Sequence, residues 1–284
     1  MSPPHVCEVF QRCAALGRAA FIPFLMAGDP DPGSSRALIG AAAESGADLV
    51  EIGIPYSDPL ADGATIQAAS QRARAAGTTF ERALAIAREC TRRHPATGFI
   101  GFTYYNPVFV RGIEKTAADF AAAGLTGIVV PDLPVGEAST LCAAFARRSL
   151  SVTFLVAPTT PLARAADIAQ RCTGFVYVVS RLGTTGVSAL DETALIQRIA
   201  ALRGVTAKPL AVGFGVASAA DAALVARSAD GVVVGSALID RTLRTESPEA
   251  AEREVRASCE AFARACSRAA TRSFPALQAS GRKS

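Results

Sequence analysis

The chain has 284 residues, half of them apolar, with a formal net charge of +4. That length accommodates one large domain, a single barrel of about 250 residues among the options, and the even spread of apolar residues excludes disorder. No apolar run nears the roughly 18 residues of a membrane span, and Met1-Ser2-Pro3-Pro4-His5 lacks the basic-then-apolar pattern of a secretory signal, so a cytoplasmic protein is expected.

Along the chain, apolar β-branched runs recur at Phe21–Met26, Leu49–Gly53, Gly98–Thr103, Gly127–Val130, Val152–Val156, Phe175–Val179, Leu210–Gly213 and Gly231–Val234. Ala-rich stretches of helical periodicity lie between them, for instance 35–45, 80–92, 116–123 and 138–147. Thr78-Thr79-Phe80-Glu81 has capping-box spacing, Gly124 closes a helix, and Ser218 precedes the helical segment 221–227. A weak repeat joins the units: a helix ends in small residues and the strand begins at once, as in Ser45-Gly46-Ala47-Asp48, Ala123-Gly124-Leu125-Thr126-Gly127 and Ser228-Ala229-Asp230-Gly231. Strict strand–helix alternation with near-continuous apolar strands implies a parallel sheet covered by helices. Eight such units predict an α/β fold, a single-domain (β/α)8 barrel over residues 1–271. Residues 64–76 read as an extra helix after the second strand, 248–270 as a C-terminal helix and 272–284 as a frayed tail.

The residue inventory narrows the chemistry. Seven cysteines are scattered without CxxC spacing, which predicts reduced, mostly buried thiols and no metal. Only two histidines are present, His5 in an N-terminal tail and His94 at a helix end, so a His-based triad or zinc site is excluded. The three lysines, Lys115, Lys208 and Lys283, avoid the C-terminal ends of the strands, which excludes a Schiff-base mechanism. The arginine pairs Arg92-Arg93 and Arg147-Arg148 lack interleaved aromatics and fit solvated helix ends better than nucleic-acid binding.

Two carboxylates stand out. Glu51 shares a strand face with Leu49 and Gly53, where a charge is costly unless paired or used. Asp62 follows on a Pro-rich loop. Proton-transfer chemistry is one reading; the other is a salt-bridged core Glu51 with Asp62 capping the next helix near Thr65. In barrels the active site lies at the C-terminal ends of the strands, where Glu51, Asp62, Tyr104, Asp132 and Arg181 all fall. Ser180–Gly186, Gly213-Phe214-Gly215 and Gly235-Ser236 offer glycine turns in the last three strand-to-helix loops, suited to a phosphate or to tight strand–helix packing.

Gly28-Asp29-Pro30, the run Glu51–Gly63, Thr103-Tyr104-Tyr105-Asn106-Pro107, Val130-Pro131-Asp132-Leu133-Pro134, Gly183–Gly186, Gly213-Phe214-Gly215 and Gly235-Ser236 together resemble the tryptophan synthase alpha chain family, in order from about residue 15 to 270. The resemblance implies retro-aldol cleavage of indole-3-glycerol phosphate to indole and glyceraldehyde 3-phosphate, with no cofactor in this chain. Glu51 matches the general acid/base, and Asp62 matches the carboxylate that faces the indole N–H; Glu51 is expected to have a raised pKa and Asp62 to stay ionised. Phe24, Phe102, Tyr104, Val129 and Tyr177 match the indole end of the pocket, although each also fits ordinary barrel core. Thr185 matches a mobile-loop threonine. Gly186, Gly213, Phe214, Gly215, Gly235 and Ser236 match the phosphate site. The rim residues Asp58, Pro59, Asn106, Asp132 and Pro134 match the surface facing a beta chain, which carries pyridoxal phosphate in an alpha2beta2 assembly. Ala64, Met26-Ala27, Leu182 and Thr184 depart from the family pattern. Two rival readings remain: a stand-alone lyase releasing free indole, and a non-catalytic activator of a beta chain.

Overall fold

A computed structural model describes residues 3–180 and 191–267. In chain order its elements are α1 (Val6–Ala15), β1 (Ala20–Met26), α2 (Pro32–Glu44), β2 (Leu49–Gly53), α3 (Ala64–Ala75), α4 (Phe80–Arg93), β3 (Gly98–Phe102), α5 (Tyr105–Arg111), α6 (Ile113–Ala122), β4 (Gly127–Val129), α7 (Ser139–Ala146), β5 (Ser151–Thr153), β6 (Leu155–Val156), α8 (Leu162–Arg171), β7 (Val176–Val179), α9 (Glu192–Arg203), β8 (Leu210–Gly213), α10 (Ala219–Ala226), β9 (Gly231–Val234), α11 (Ser236–Thr242) and α12 (Pro248–Ala265). All strand pairs are parallel, in the order β5-β4-β3-β2-β1-β9-β8-β7-β6.

The expected fifth strand is two segments. β5 pairs with β4 and β6 with β7, and Phe154 joins them, so the barrel closes across one residue. At that break the Phe154 N–H donates to Cys172 Sγ at 3.4 Å, and its carbonyl accepts the Tyr177 N–H at 3.1 Å. One expected strand has thus become two short ones without opening the wall.

Side chains divide by face. Phe21, Leu25, Val50, Ile52, Phe99, Ile128, Val152, Val176, Val212 and Val232 pack outward against the helices. Ile22, Phe24, Leu49, Ile100, Phe102, Val129, Tyr177 and Val233 point into the barrel. The interior is a packed core, as barrel interiors are. Sequence periodicity missed α1, which closes its lower end: Val6, Val9, Phe10 and Cys13 join the interior cluster, and the Phe10 ring lies 5.4 Å from Phe175. His5 belongs to no tail. It caps α1, accepting from the Cys7 N–H while Glu8 accepts the His5 N–H, a capping box.

The repeat seen in the sequence has a structural cause. Asp48, just before β2, accepts the Phe21 N–H at 3.0 Å and binds Arg18 through two bonds of 2.5 and 2.7 Å. Asp230, just before β9, likewise accepts the Leu210 N–H at 2.8 Å and pairs with Arg203. At both places a buried or half-buried carboxylate satisfies the first free N–H of the preceding strand in sequence, and an arginine satisfies the carboxylate.

Capping followed the sequence in part. Ser218 caps α10 in a box with Asp221, and Gly124 follows α6 at φ +76°. The box expected from Thr78 does not form: Thr79 is the cap of α4, accepting from the Arg82 N–H, and Thr78 Oγ1 is buried without a partner. Thr78 instead packs over Gly28, at a φ of +86° that favours glycine, and its side chain leaves no room for a Cβ there. The predicted C-terminal helix starts at Pro248 as expected but stops at Ala265, short of the expected 270, with Cys266 as its C-cap; the tail lies outside the described residues. Among the described residues no helix is long and apolar enough to cross a membrane.

Candidate active site

The C-terminal ends of β1, β2, β3, β7, β8 and β9 surround one region. Glu51 enters it from the middle of β2, beside Phe24 of β1 and Ile100 of β3 in the sheet register. It has no solvent exposure, and neither of its carboxylate oxygens has a hydrogen-bond partner. Burial pushes its carboxyl from 4.5 up to about 8. A salt-bridged core Glu51 is therefore excluded.

Asp62 ends the loop after β2 and is 5% exposed. It does not cap a helix: α3 begins after Gly63, with no side-chain cap. The Tyr104 phenol binds its carboxylate and also accepts the Ala61 N–H at 3.0 Å. Burial raises the Asp62 carboxyl to about 7, with the Tyr104 hydrogen bond pulling the other way. The expectation of an ordinary, freely ionised loop carboxylate is corrected here, because the loop folds inward under Tyr104.

Tyr177 stands between them electrostatically. It is buried on β7, and burial first, then the charges of Glu51 and Asp62, holds its phenol well above the usual range. Phe24 and Phe102 meet edge to face at 5.5 Å, and Phe214 meets Tyr177 at 5.7 Å. Val129 completes the apolar wall from β4. Two glycines make this packing possible. A Cβ on Gly53 would sit 2.6 Å from Phe24 Cζ, and one on Gly213 would run into the Tyr177 phenol.

The loop after β8 turns through Phe214 at φ +65° and Gly215 at φ +108°, with Gly215 exposed. Its carbonyls are held from below: Ser180 Oγ donates to the Gly213 carbonyl at 3.0 Å and to that of Phe214. After β9, Gly235 and Ser236 open α11; the Leu238 and Ile239 N–H groups both donate to the Gly235 carbonyl, at 2.9 and 3.2 Å, which leaves those of Ser236 and Ala237 without acceptors in the helix. Thr185 and Gly186, with Arg181 and the rest of the loop after β7, lie outside the described residues.

With this geometry as background, three comparisons agree. A sequence profile of the tryptophan synthase alpha chain matches residues 10–267. The chain belongs to the tryptophan synthase alpha chain family. It is 44% identical over 235 residues to the tryptophan synthase alpha chain of Geobacter sulfurreducens, covering 83% of this chain and 89% of that one. It is 43% identical over 258 residues to that of a Picosynechococcus species, covering 90% and 97%. A structure of Mycobacterium tuberculosis tryptophan synthase superposes with a TM-score of 0.86 at 35% identity, covering 94% of this chain and 100% of that chain.

Against the family pattern, Asp58, Asn106, Asp132 and Pro134 are exposed and Pro59 is half-buried, all on the rim above β2, β3 and β4. Asn106 donates to the Tyr56 hydroxyl at 3.1 Å, and Asp132 accepts the Tyr105 N–H at 2.8 Å. Sequence reading missed three neighbours on this rim. Leu60, Phe109 and Val110 are 86, 65 and 77% exposed. Large apolar side chains beside polar rim residues are the signal that was there to be read. Among the described residues, no cluster of His, Cys, Asp or Glu is arranged to hold a metal.

Proposed function

We propose that Glu51 and Asp62 carry the alpha reaction of tryptophan synthase, the cleavage of indole-3-glycerol phosphate to indole and glyceraldehyde 3-phosphate. One observation supports this above the rest: a wholly buried carboxyl without a hydrogen-bond partner and a second, nearly buried carboxyl both act on the buried Tyr177 phenol of the same wall. Protonated Glu51 gives its proton to C3 of the indole ring. Ionised Asp62 accepts a hydrogen bond from the ring N–H and stabilises the resulting cation. Glu51, now a carboxylate, takes the proton from the adjacent side-chain hydroxyl as the bond to C3 breaks, and the bonding pair returns to the ring. The proton lost at the first step is regained at the last, so no cofactor is consumed in this chain.

The aromatic wall of Phe24, Phe102, Tyr104, Val129 and Tyr177 holds the indole, with Thr185 as the contact from the loop after β7. The phosphate lies against Gly186, Gly213, Phe214, Gly215, Gly235 and Ser236, where the Ser236 and Ala237 N–H groups and the positive end of a helix favour an anion. Ser236→Asp places a negative charge at that end. It is expected to raise KM at least about tenfold, as for a lost charge-assisted hydrogen bond, with a smaller change in kcat. Equal KM values for the two proteins would remove the phosphate from this end.

The rim formed by Asp58, Pro59, Asn106, Asp132 and Pro134 docks a beta chain, which carries pyridoxal phosphate and receives the indole in an alpha2beta2 assembly. The exposed Leu60, Phe109 and Val110 support this, since such a patch is costly to leave in water. A groove of about 350 Å³ lined by Tyr56, Phe80, Asn106, Pro107 and Val110 lies beside it. Titrating the chain with a cognate beta chain while following indole release is expected to raise the rate roughly 5–150-fold, the span of ordinary intersite coupling. Full activity from the chain alone, unaltered by the beta chain, would identify a stand-alone lyase instead.

A further inference from the structure

We infer that α3 is a brace through which the phosphate end of the site positions Asp62, with Thr65 and Asp240 as the positioning pair. The inference rests on the reading of the site proposed above and extends it.

Strands β2, β1 and β9 are consecutive in the barrel wall. α3 lies across their upper ends, with Ile66, Ala69 and Ala73 packed into the interior cluster. Its polar side chains reach the loop or helix that follows each of the three strands. To the β1 loop, Arg72 makes two bonds with Asp29, at 2.7 and 2.8 Å. To the β2 loop, Ser70 accepts the Tyr56 N–H and donates to the Tyr56 carbonyl, both at 2.9 Å, while Gln67 donates to the Asp62 carbonyl at 2.8 Å. To the helix after β9, the Thr65 hydroxyl donates to Asp240 at 3.0 Å.

The position of this last bond is what gives it a role. Asp240 lies one helical turn after Ser236, on the helix whose first turn forms the phosphate end. Thr65 lies three residues after Asp62. α3 begins without a side-chain cap of its own, so the place of its first turn depends on what holds Thr65 and Gln67 from outside. Gln67 ties that turn to Asp62, and Thr65 ties it to α11. An anion settling on the first turn of α11 therefore favours one placement of α11, and through one hydrogen bond one placement of the Asp62 carboxylate. The size of this effect cannot exceed the difference in anion affinity between the two placements.

The test uses the full chain, with glycerol 3-phosphate as the probe, and compares wild type with Thr65→Val, Thr65→Ser and Asp240→Ala. In wild type and Thr65→Ser, the probe is expected to slow amide hydrogen exchange over residues 61–67 by about fivefold or more, the low end of intersite coupling. In Thr65→Val and Asp240→Ala, which lack the donor and the acceptor of the bridge, the slowing disappears. The same two variants lower kcat on indole-3-glycerol phosphate with little change in KM, and leave the slow cleavage of dephosphorylated indole glycerol as it was. A merely structural bond would move both substrates together and would not be rescued by serine. Absence of slowing in wild type, or equal slowing in all four proteins, overturns the brace. A wild-type chain that shows the slowing yet never cleaves substrate with a beta chain present keeps the brace and overturns the functional reading instead. Asp240→Ala carries the test if Thr65→Val does not fold.

Discussion

Glu51→Gln is expected to lose about 10²–10⁴-fold in indole release while the barrel stays folded, because general acid–base catalysis contributes on that scale. Glutamine matches the shape of the carboxylic acid but can neither give nor take the proton. The substitution also has a signature in stability. The carboxyl lies at about 8 in the folded chain against an ordinary 4.5, so the folded state holds a proton over that interval that the unfolded state has lost. Stability therefore falls as pH rises from about 4.5 through about 8, and the contribution is fully present only below that window. Replacing Glu51 by glutamine removes this slope. Urea unfolding of both proteins at the two ends of the window checks it, and near-normal turnover in a well-folded Glu51→Gln protein would dispose of the acid–base assignment.

Asp62→Asn is expected to cost about 10²–10³-fold in kcat, the usual loss when one group aimed at developing charge is removed. Here the lost group is the anion itself. The pH dependence distinguishes the two acids. With Asp62 required ionised and Glu51 required protonated, kcat/KM is expected to rise through about 7 and fall through about 8. Asp62→Asn removes the rising limb and leaves the falling one; Glu51→Gln does the reverse. A residual profile with both limbs in either variant would mean that other groups carry the protons.

Much of this was readable from residue order alone. Leu49–Gly53, Leu210–Gly213 and Gly231–Val234 were found to the residue, because each is a short apolar run bounded by glycine. The position of Glu51 on an apolar face followed from the two-residue period of a strand. What the sequence hid depends on contacts between distant segments. The split at Phe154 arises from what Cys172 and Tyr177 offer its backbone, and no local pattern announces it. α1 looked like a tail because its apolar face is meaningful only against Phe175, some 165 residues away. Asp62 looked solvated because a Pro-rich loop ordinarily is; its burial comes from Tyr104, on another strand's loop. The bridge from Thr65 to Asp240 spans 175 residues and leaves no trace in either segment.

The two ends of the barrel are under opposite demands. At the lower end, Asp48 and Asp230 close N–H groups and arginines into satisfied clusters, and α1 seals the interior with apolar side chains. At the upper end, Glu51 sits unpaired, Phe214 holds a left-handed turn, and Leu60, Phe109 and Val110 stand in water. A library of random substitutions would divide along that axis. Changes below would be lost mainly as insoluble or unfolded protein. Changes above would more often yield well-folded but inactive chains, some with a raised melting temperature. Screening for thermal tolerance alone would therefore enrich precisely the variants that had given up the chemistry.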